Sequence, residues 1–262
     1  MKYQLIIVLL FSSLVSFGQQ PEYPDSGFTS KAEAKNLMVN RKKEGKWVEY
    51  FIQHRRYTKI TTDTSMANYY ELTIYRDDNP SGIQRRYSRN GALVKETYYS
   101  NGKKNGVEKN YRKGKIFLET PYTNDKINGL EKYYYENGKI MVETPYKDGQ
   151  KEGIENEYYE NGKIESETPY KSGCKNGIEK VYFKNGKIFS VSSWYNDKMD
   201  GVWKTFYRNG VTESETPCEN GKINGTEKEY NKKGILISET SYVNGVAGPT
   251  KNYDENGNEI KQ

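Results

Sequence analysis

Outside its carboxylates, this 262-residue chain has few residues able to do chemistry. A Ser-His-Asp arrangement would have to use His54, the single histidine, which stands beside Arg55 and Arg56 with no nucleophile motif nearby. One histidine and two cysteines, Cys174 and Cys218, are too few for a four-ligand zinc site. Carboxylates are abundant, but they recur at fixed positions: Glu96, Glu119, Glu143, Glu167, Glu215 and Glu239 in one column, Glu108, Glu131, Glu155, Glu179 and Glu227 in another. A catalytic pair should break a repeat, whereas these glutamates obey one. The expectation is therefore a protein that is not an enzyme and needs no metal or cofactor. The residues that do break the pattern are Val191, Ser193, Trp194, Trp203 and Cys218. They mark a candidate partner-contact patch centred on Trp194 and Trp203, to be weighed against Tyr146 and Tyr170 of the regular aromatic column.

What must position these residues is a tandem array. Gly82, Gly106, Gly129, Gly153, Gly177, Gly201, Gly225 and Gly248 recur every 23 or 24 residues, and most are followed eight or nine residues later by an Asn-Gly pair such as Asn161-Gly162. A fixed period of this size is the signature of a repeat architecture. Asn-Gly between β-prone runs predicts a hairpin closed by a type I′ turn with positive φ at both central residues. A second, longer loop, such as 171–176, would join one hairpin to the next. The fold expected is all-β, an elongated single-layer antiparallel meander of stacked β-hairpins.

Alternation along strands assigns the faces. The position after each unit glycine (Ile83, Val107, Leu130, Ile154, Ile178, Val202) shares a side with the aromatic position five after the glycine (Tyr111, Tyr134, Tyr158, Tyr182, Phe206, Tyr230). This side is expected to be the covered one, together with the return-strand column Tyr122, Tyr146, Tyr170, Trp194 and Cys218. Both glutamate columns are then expected on the opposite, solvated face, where Trp203 replaces a glutamate and would lie away from Trp194. Pro121, Pro145, Pro169 and Pro217 are expected at bulges or strand ends. Cys174 in a connecting loop and Cys218 two units on would lie about 20 Å apart, beyond the roughly 7 Å a disulfide allows.

Composition agrees with a thin structure. Only 34% of residues are hydrophobic, and 25 of those are Tyr, so two packed layers would lack aliphatic side chains. Lys2 and the apolar run Leu5–Phe11, followed by Ser16-Phe17-Gly18, read as a secretory signal over residues 1–18. With no cysteine after that run, the chain is expected to be exported without a lipid anchor: periplasmic, outer-surface or secreted. Residues 19–44 read as a flexible leader to Ser30 and a short capping helix over 31–39. Residues 45–81 read as a diverged first hairpin with an expanded loop, and 82–262 as the regular repeats.

The run Tyr158-Tyr159-Glu160-Asn161-Gly162-Lys163-Ile164, followed by Glu167-Thr168-Pro169-Tyr170, resembles the MORN repeat variant of bacterial proteins often labelled YwqK-family antitoxins. The resemblance implies hairpins stacked into a ribbon-like sheet, and scaffolding, partner binding or, in eukaryotic relatives, association with membrane lipids. The leading expectation is a non-enzymatic scaffold that binds a protein along its sheet. An antitoxin or immunity role is a second. Peripheral binding of anionic lipid or glycan through the basic start of the array is a third, with Arg85, Arg86 and Arg89 as candidates. The net charge of +6 is mixed in sign along the chain and indicates no nucleic-acid partner.

Overall fold

The computed structural model describes residues 27–53 and 58–260; the signal-like segment and His54 lie outside the described residues. Among those residues, strands joined by hairpins form one open antiparallel sheet of 26 strands. Each unit follows one plan. In the unit beginning at Gly153, strand Gly153–Tyr158 pairs with Ile164–Lys171, which turns tightly at Ser172-Gly173 into the two-residue strand Cys174–Lys175. The next unit strand, Gly177–Tyr182, pairs back onto the same return strand through Ser166↔Val181 and Glu167↔Lys180.

The turns differ from expectation. At Asn161-Gly162 only the glycine has positive φ; Gly162 N–H donates to the Tyr159 carbonyl, and the Asn161 side chain accepts from the backbone of Lys163. This is a three-residue loop with a glycine bulge, and the register shifts between Glu157 and Tyr158. The two-residue turn with positive φ at both centres recurs at the other edge, at Ser172-Gly173 (φ 50° and 87°) and its counterparts, and on the Asn-Gly edge is found at Lys113-Gly114. What the sequence reads as a long connection is thus itself a hairpin, and the sheet has two edges of distinct turn chemistry.

The prolines sit where the ladder skips. Tyr170 pairs with Lys175 but Glu167 with Lys180, so two extra residues are absorbed opposite Thr168 and Pro169, and the Pro169 carbonyl accepts from Asn176 N–H. The unit glycine follows. Gly177 has φ +121°, and a Cβ there would meet Pro169 Cγ at 3.0 Å. Glycine is needed at this position both for the dihedral and for the approach of the proline ring.

The start of the array departs from two expectations. Residues 31–39 form a single 3₁₀ turn at Lys31–Glu33 and a strand, Leu37–Val39, rather than a helix. Positive φ at Asn36 breaks the helix, and the Asn40-Arg41 turn folds Leu37–Val39 onto Lys42–Glu44. Phe28, in the stretch read as flexible leader, is 3% exposed and packs with Leu72 and Tyr70 in the one apolar cluster of the described residues. The strand Lys42–Gln53 pairs with Tyr69–Arg76 as the first hairpin, and part of its insertion, Thr58–Thr61, returns as an outer strand against Tyr50–Gln53. Asn36 closes the remaining outer edge, its side-chain amide accepting from Val48 N–H and donating to the Val48 carbonyl.

If the glycine–proline contact sets the unit geometry, Gly177→Ala should cost about 2 kcal/mol or more, because strained φ and overlap combine. Gly162→Ala, with nothing within 4 Å of its Cβ site, should cost about 1 kcal/mol from φ alone. Urea unfolding of both variants measures the difference.

Candidate functional site

The cross-strand register places the two glutamate columns on opposite faces, not on one. Glu155 pairs with Thr168 and shares a face with Tyr170, whereas Glu167 pairs with Asn156 and shares a face with Ile154 and Tyr158. The expected covered face is also corrected. Ile154 and Ile178 are more than half exposed because a single layer puts nothing over them. The deeply buried row is polar and lies on the other side: Thr97, Thr120, Thr144, Thr168 and Thr216.

These threonines explain the glutamates. Each donates its hydroxyl to a carboxylate of the following unit: Thr97 to Glu108 (2.9 Å), Thr120 to Glu131 (2.8 Å), Thr144 to Glu155 (2.6 Å), Thr168 to Glu179 (3.0 Å) and Thr216 to Glu227 (2.8 Å). In three units a lysine completes the cluster; Lys104, Lys151 and Lys175 each bond the glutamate four residues on and lie 4.5, 4.5 and 4.6 Å from the ring centres of Tyr122, Tyr170 and Trp194. Tyr170 is therefore a half-buried lid over its own unit's charge pair.

The other face carries a second set. Tyr111 donates to Glu96, Tyr134 to Glu119, Tyr158 to Glu143, Tyr182 to Glu167, Tyr230 to Glu215 and Tyr253 to Glu239, at 2.5 to 3.3 Å. Every such bond reaches back to the preceding unit. Five seams are thus pinned on both faces, by Thr→Glu on one and Tyr→Glu on the other, and at the last seam Thr240 meets Thr250 in place of a glutamate.

One seam has lost both pins. Where units Gly177 and Gly201 meet, Val191 stands for the carboxylate and Phe206 for its tyrosine, while Trp203 stands for the glutamate that Ser192 would reach. Ser192 turns back instead to Glu179, which also accepts from the Trp194 indole at 2.9 Å. The position that is lysine in three units holds Met199 here, paired with Trp194, as it holds Ile127 and Ile223 in two others. Because Ser190 pairs with Thr205, Trp203 lies on the same face as Trp194, contrary to expectation, and Cys218, which pairs with Gly201, joins them there. Trp203 remains 37% exposed. Sequence reasoning named the outliers but missed Phe206, whose signal was loss of the tyrosine hydroxyl in step with the loss of the carboxylate at Val191. Cys174 and Cys218 are both free thiols.

The other candidates are placed differently. Arg85 is bound to Glu96 and to the Phe28 carbonyl, and Arg86 to Glu71, so both serve the first seams; Arg89 is exposed at the edge beside Asn68 and Tyr69. Tyr146 is half-buried in the lid column. The described residues contain no group of three or more His, Cys, Asp or Glu placed to hold a metal, and no helix long and apolar enough to cross a membrane.

A single open sheet built from one hairpin, with seams pinned by the same side chains unit after unit, defines a β-hairpin repeat protein. The MORN repeat variant model matches residues 80–101, 127–148, 151–172, 175–194, 199–220 and 223–244, and the chain belongs to that family. The unit at Gly106, whose Lys113-Gly114 turn is one residue shorter, falls between the matches. No curated protein matches the chain. Among solved structures, a mutant of S. aureus TarM in complex with Fondaparinux, alpha-GlcNAc-glycerol and UDP is 14% identical with a TM-score of 0.24. That match covers 50% of this chain and 21% of the other, and at this similarity it carries no argument.

The pins make two measurable demands. Val191→Glu alone introduces a half-buried carboxylate with no tyrosine to donate to it, and Phe206→Tyr alone leaves a hydroxyl without its acceptor. Together they should recover about 1–2 kcal/mol relative to the sum of the single changes, read from a double-mutant cycle of urea unfolding.

The second demand is on pH. Burial first, then the bond to Glu167, raises the Tyr182 hydroxyl from 10.0 to about 12, and Tyr111 and Tyr134 are raised by the same causes. A raised folded pKa contributes stability that is present below pH 10 and lost as pH climbs through about 12. For Glu108 and Glu179 burial is the largest influence and pushes upward, but their lysine and threonine partners outweigh it and leave both below 4.5. Their contribution is lost as pH falls below that value. Thermal midpoints should therefore decline on both flanks, and Tyr182→Phe should flatten the alkaline one.

Proposed function

We propose that the protein is an exported, non-enzymatic repeat scaffold, and that its partner is a protein seated on the threonine-bearing face where units Gly177 and Gly201 meet. The observation that supports this is coordinated replacement. The glutamate column becomes Trp203, its return-strand counterpart becomes Val191 and the aromatic column becomes Trp194 and Cys218, within two consecutive units of an array whose other interior units are regular in these columns. A tryptophan left 37% exposed at a position that holds a hydrogen-bonded glutamate in the regular units has the character of an interface core, where aromatic residues and Met are enriched and charge is depleted.

The carboxylates support a structural rather than catalytic role, since they are occupied by threonine, tyrosine and lysine donors that recur along the array. With residues 1–18 read as an export signal, the partner belongs to the cell envelope or the exterior. An antitoxin of the YwqK type would be one form of such a pairing, with a single protein held one-to-one.

The test restores the repeat. Met199→Lys with Trp203→Glu builds the pair found in three other units and returns an acceptor to Ser192, so the variant should fold with an unchanged or raised thermal midpoint. Used as bait against an envelope fraction, the parent should retain a protein that the restored variant binds at least about tenfold more weakly, the scale of one interface hot spot. Tyr146→Phe and Tyr170→Phe should bind like the parent. Equal capture by parent and restored variant would remove the patch from consideration.

A further inference from the structure

The two edges of the sheet carry different charge. Over the first seven Asn-Gly-type turns, from Arg89 to Lys233, eleven Lys or Arg residues face only Glu136 and Glu160, a net of nine positive charges. The tight turns at the opposite edge, from Arg76 to Asn244, balance to a net of one. The cationic edge is also aromatic. One shallow groove lies between consecutive turns, bordered by Arg112, Lys113, Lys115, Phe117, Tyr135 and the single carboxylate of Glu136, with Arg112 4.7 Å from the Phe117 ring centre. A second lies two units on, bordered by Tyr159, Phe183, Lys184 and Arg208. There Lys184 lies 5.7 Å from the Tyr159 ring, Arg208 5.7 Å from Phe183, and Phe183 meets Phe189 edge-on at 5.1 Å.

Two of these rings, Tyr135 and Tyr159, are tied down through their hydroxyls. The Tyr135 hydroxyl donates to the carbonyl of Tyr158 and that of Tyr159 to Tyr182, so each turn is tied to the next. Lys139 and Lys163 reach the backbone carbonyls of Glu160 and Asn185 in the same direction. These acceptors are uncharged carbonyls and leave the lysine charges in place, whereas Lys113 is paired with Glu136 at 3.3 Å. Turns repeat every two strands, about 10 Å, a distance comparable with the length of a disaccharide.

We propose that the Asn-Gly edge binds an extended acidic polysaccharide, with cations on its carboxylate or sulfate groups and the fixed ring surfaces against its sugar faces. A linear polymer matches a site that repeats with the array better than any compact ligand does. Rings tied down by their hydroxyls, as Tyr135 and Tyr159 are, suit packing against the face of a sugar better than insertion between nucleic-acid bases. The export reading places the edge where polysaccharides are the prevalent polyanions. This site is separate from the Trp194–Trp203 face and stands or falls independently of it.

The probe is polygalacturonate, with dextran sulfate as the sulfated counterpart, neutral dextran as the uncharged control and single-stranded DNA as the competing polyanion. Affinities are measured for the parent, for Arg112→Gln with Lys184→Gln and Arg208→Gln, and for a charge-matched opposite-edge variant, Lys126→Gln with Lys171→Gln and Lys198→Gln. Circular dichroism and thermal midpoint confirm the fold of each. The parent should bind one or both acidic glycans and not neutral dextran; the Asn-Gly-edge variant should lose about tenfold or more, and the opposite-edge variant less than about twofold. Phe183→Leu should weaken binding without changing its dependence on salt, since the ring contributes no charge. Absence of glycan binding, equal losses from the two edges, or DNA binding as tight as glycan binding would each overturn the assignment.

Discussion

The structure depends on the hydrogen bond between a hydroxyl on one hairpin and a carboxylate on the next. A single-layer sheet has no second layer to bury aliphatic side chains, so it cannot be held by the burial that stabilises ordinary domains. Among the described residues, the buried hydrophobic side chains are Phe28, Ala67, Tyr70, Leu72 and Cys218, and all but the last belong to the leader and first unit. Beyond them, cohesion between hairpins rests on the backbone ladder and on the Thr→Glu and Tyr→Glu bonds. A hydrogen bond to a charged group contributes about 1.5–3 kcal/mol, more than a neutral pair. Lysines laid over tyrosine rings shield these bonds from water without a covering layer.

This scheme makes each seam a local matter, as expected of an array in which a unit touches only its neighbours. A seam can therefore change its chemistry without disturbing the others, provided both partners change together. Between Gly177 and Gly201 they do: the valine and phenylalanine that replace one pin are compatible with each other, and Ser192 finds Glu179 within its own unit. The array can specialise one stretch of one face while the rest remains structural. The two edges, whose turns are exposed, vary still more freely, and there charge has segregated to one side.

Much of the architecture was legible in residues alone. The glycine period, the Asn-Gly pairs and the scarcity of aliphatic residues led to stacked hairpins in one layer, and the residues that break the pattern pointed to the seam that differs. The faces were not legible in the same way. Alternation relates residues within one strand, so Glu155 and Tyr158 were correctly placed on opposite sides. Relating Glu155 to Tyr170, or Trp203 to Trp194, requires the pairing register, and a one-residue change in register exchanges every side chain between faces. That register follows from the bulge between Glu157 and Tyr158 and from the two-residue slip opposite Pro169.

The sequence by itself determined the period, the class of fold and the residues that interrupt it, because these follow from turn chemistry and composition repeated many times over. Tertiary structure alone decided which residues meet. Thr168 and Glu179 are 11 positions apart and Tyr182 and Glu167 are 15, and nothing in either spacing marks them as partners. They become partners because the ladder brings successive hairpins side by side in a fixed register, with Thr168 turned to one face and Tyr182 to the other. The same register sets Trp194, Met199, Trp203 and Cys218 on one surface and gathers the cations of separate turns along one edge.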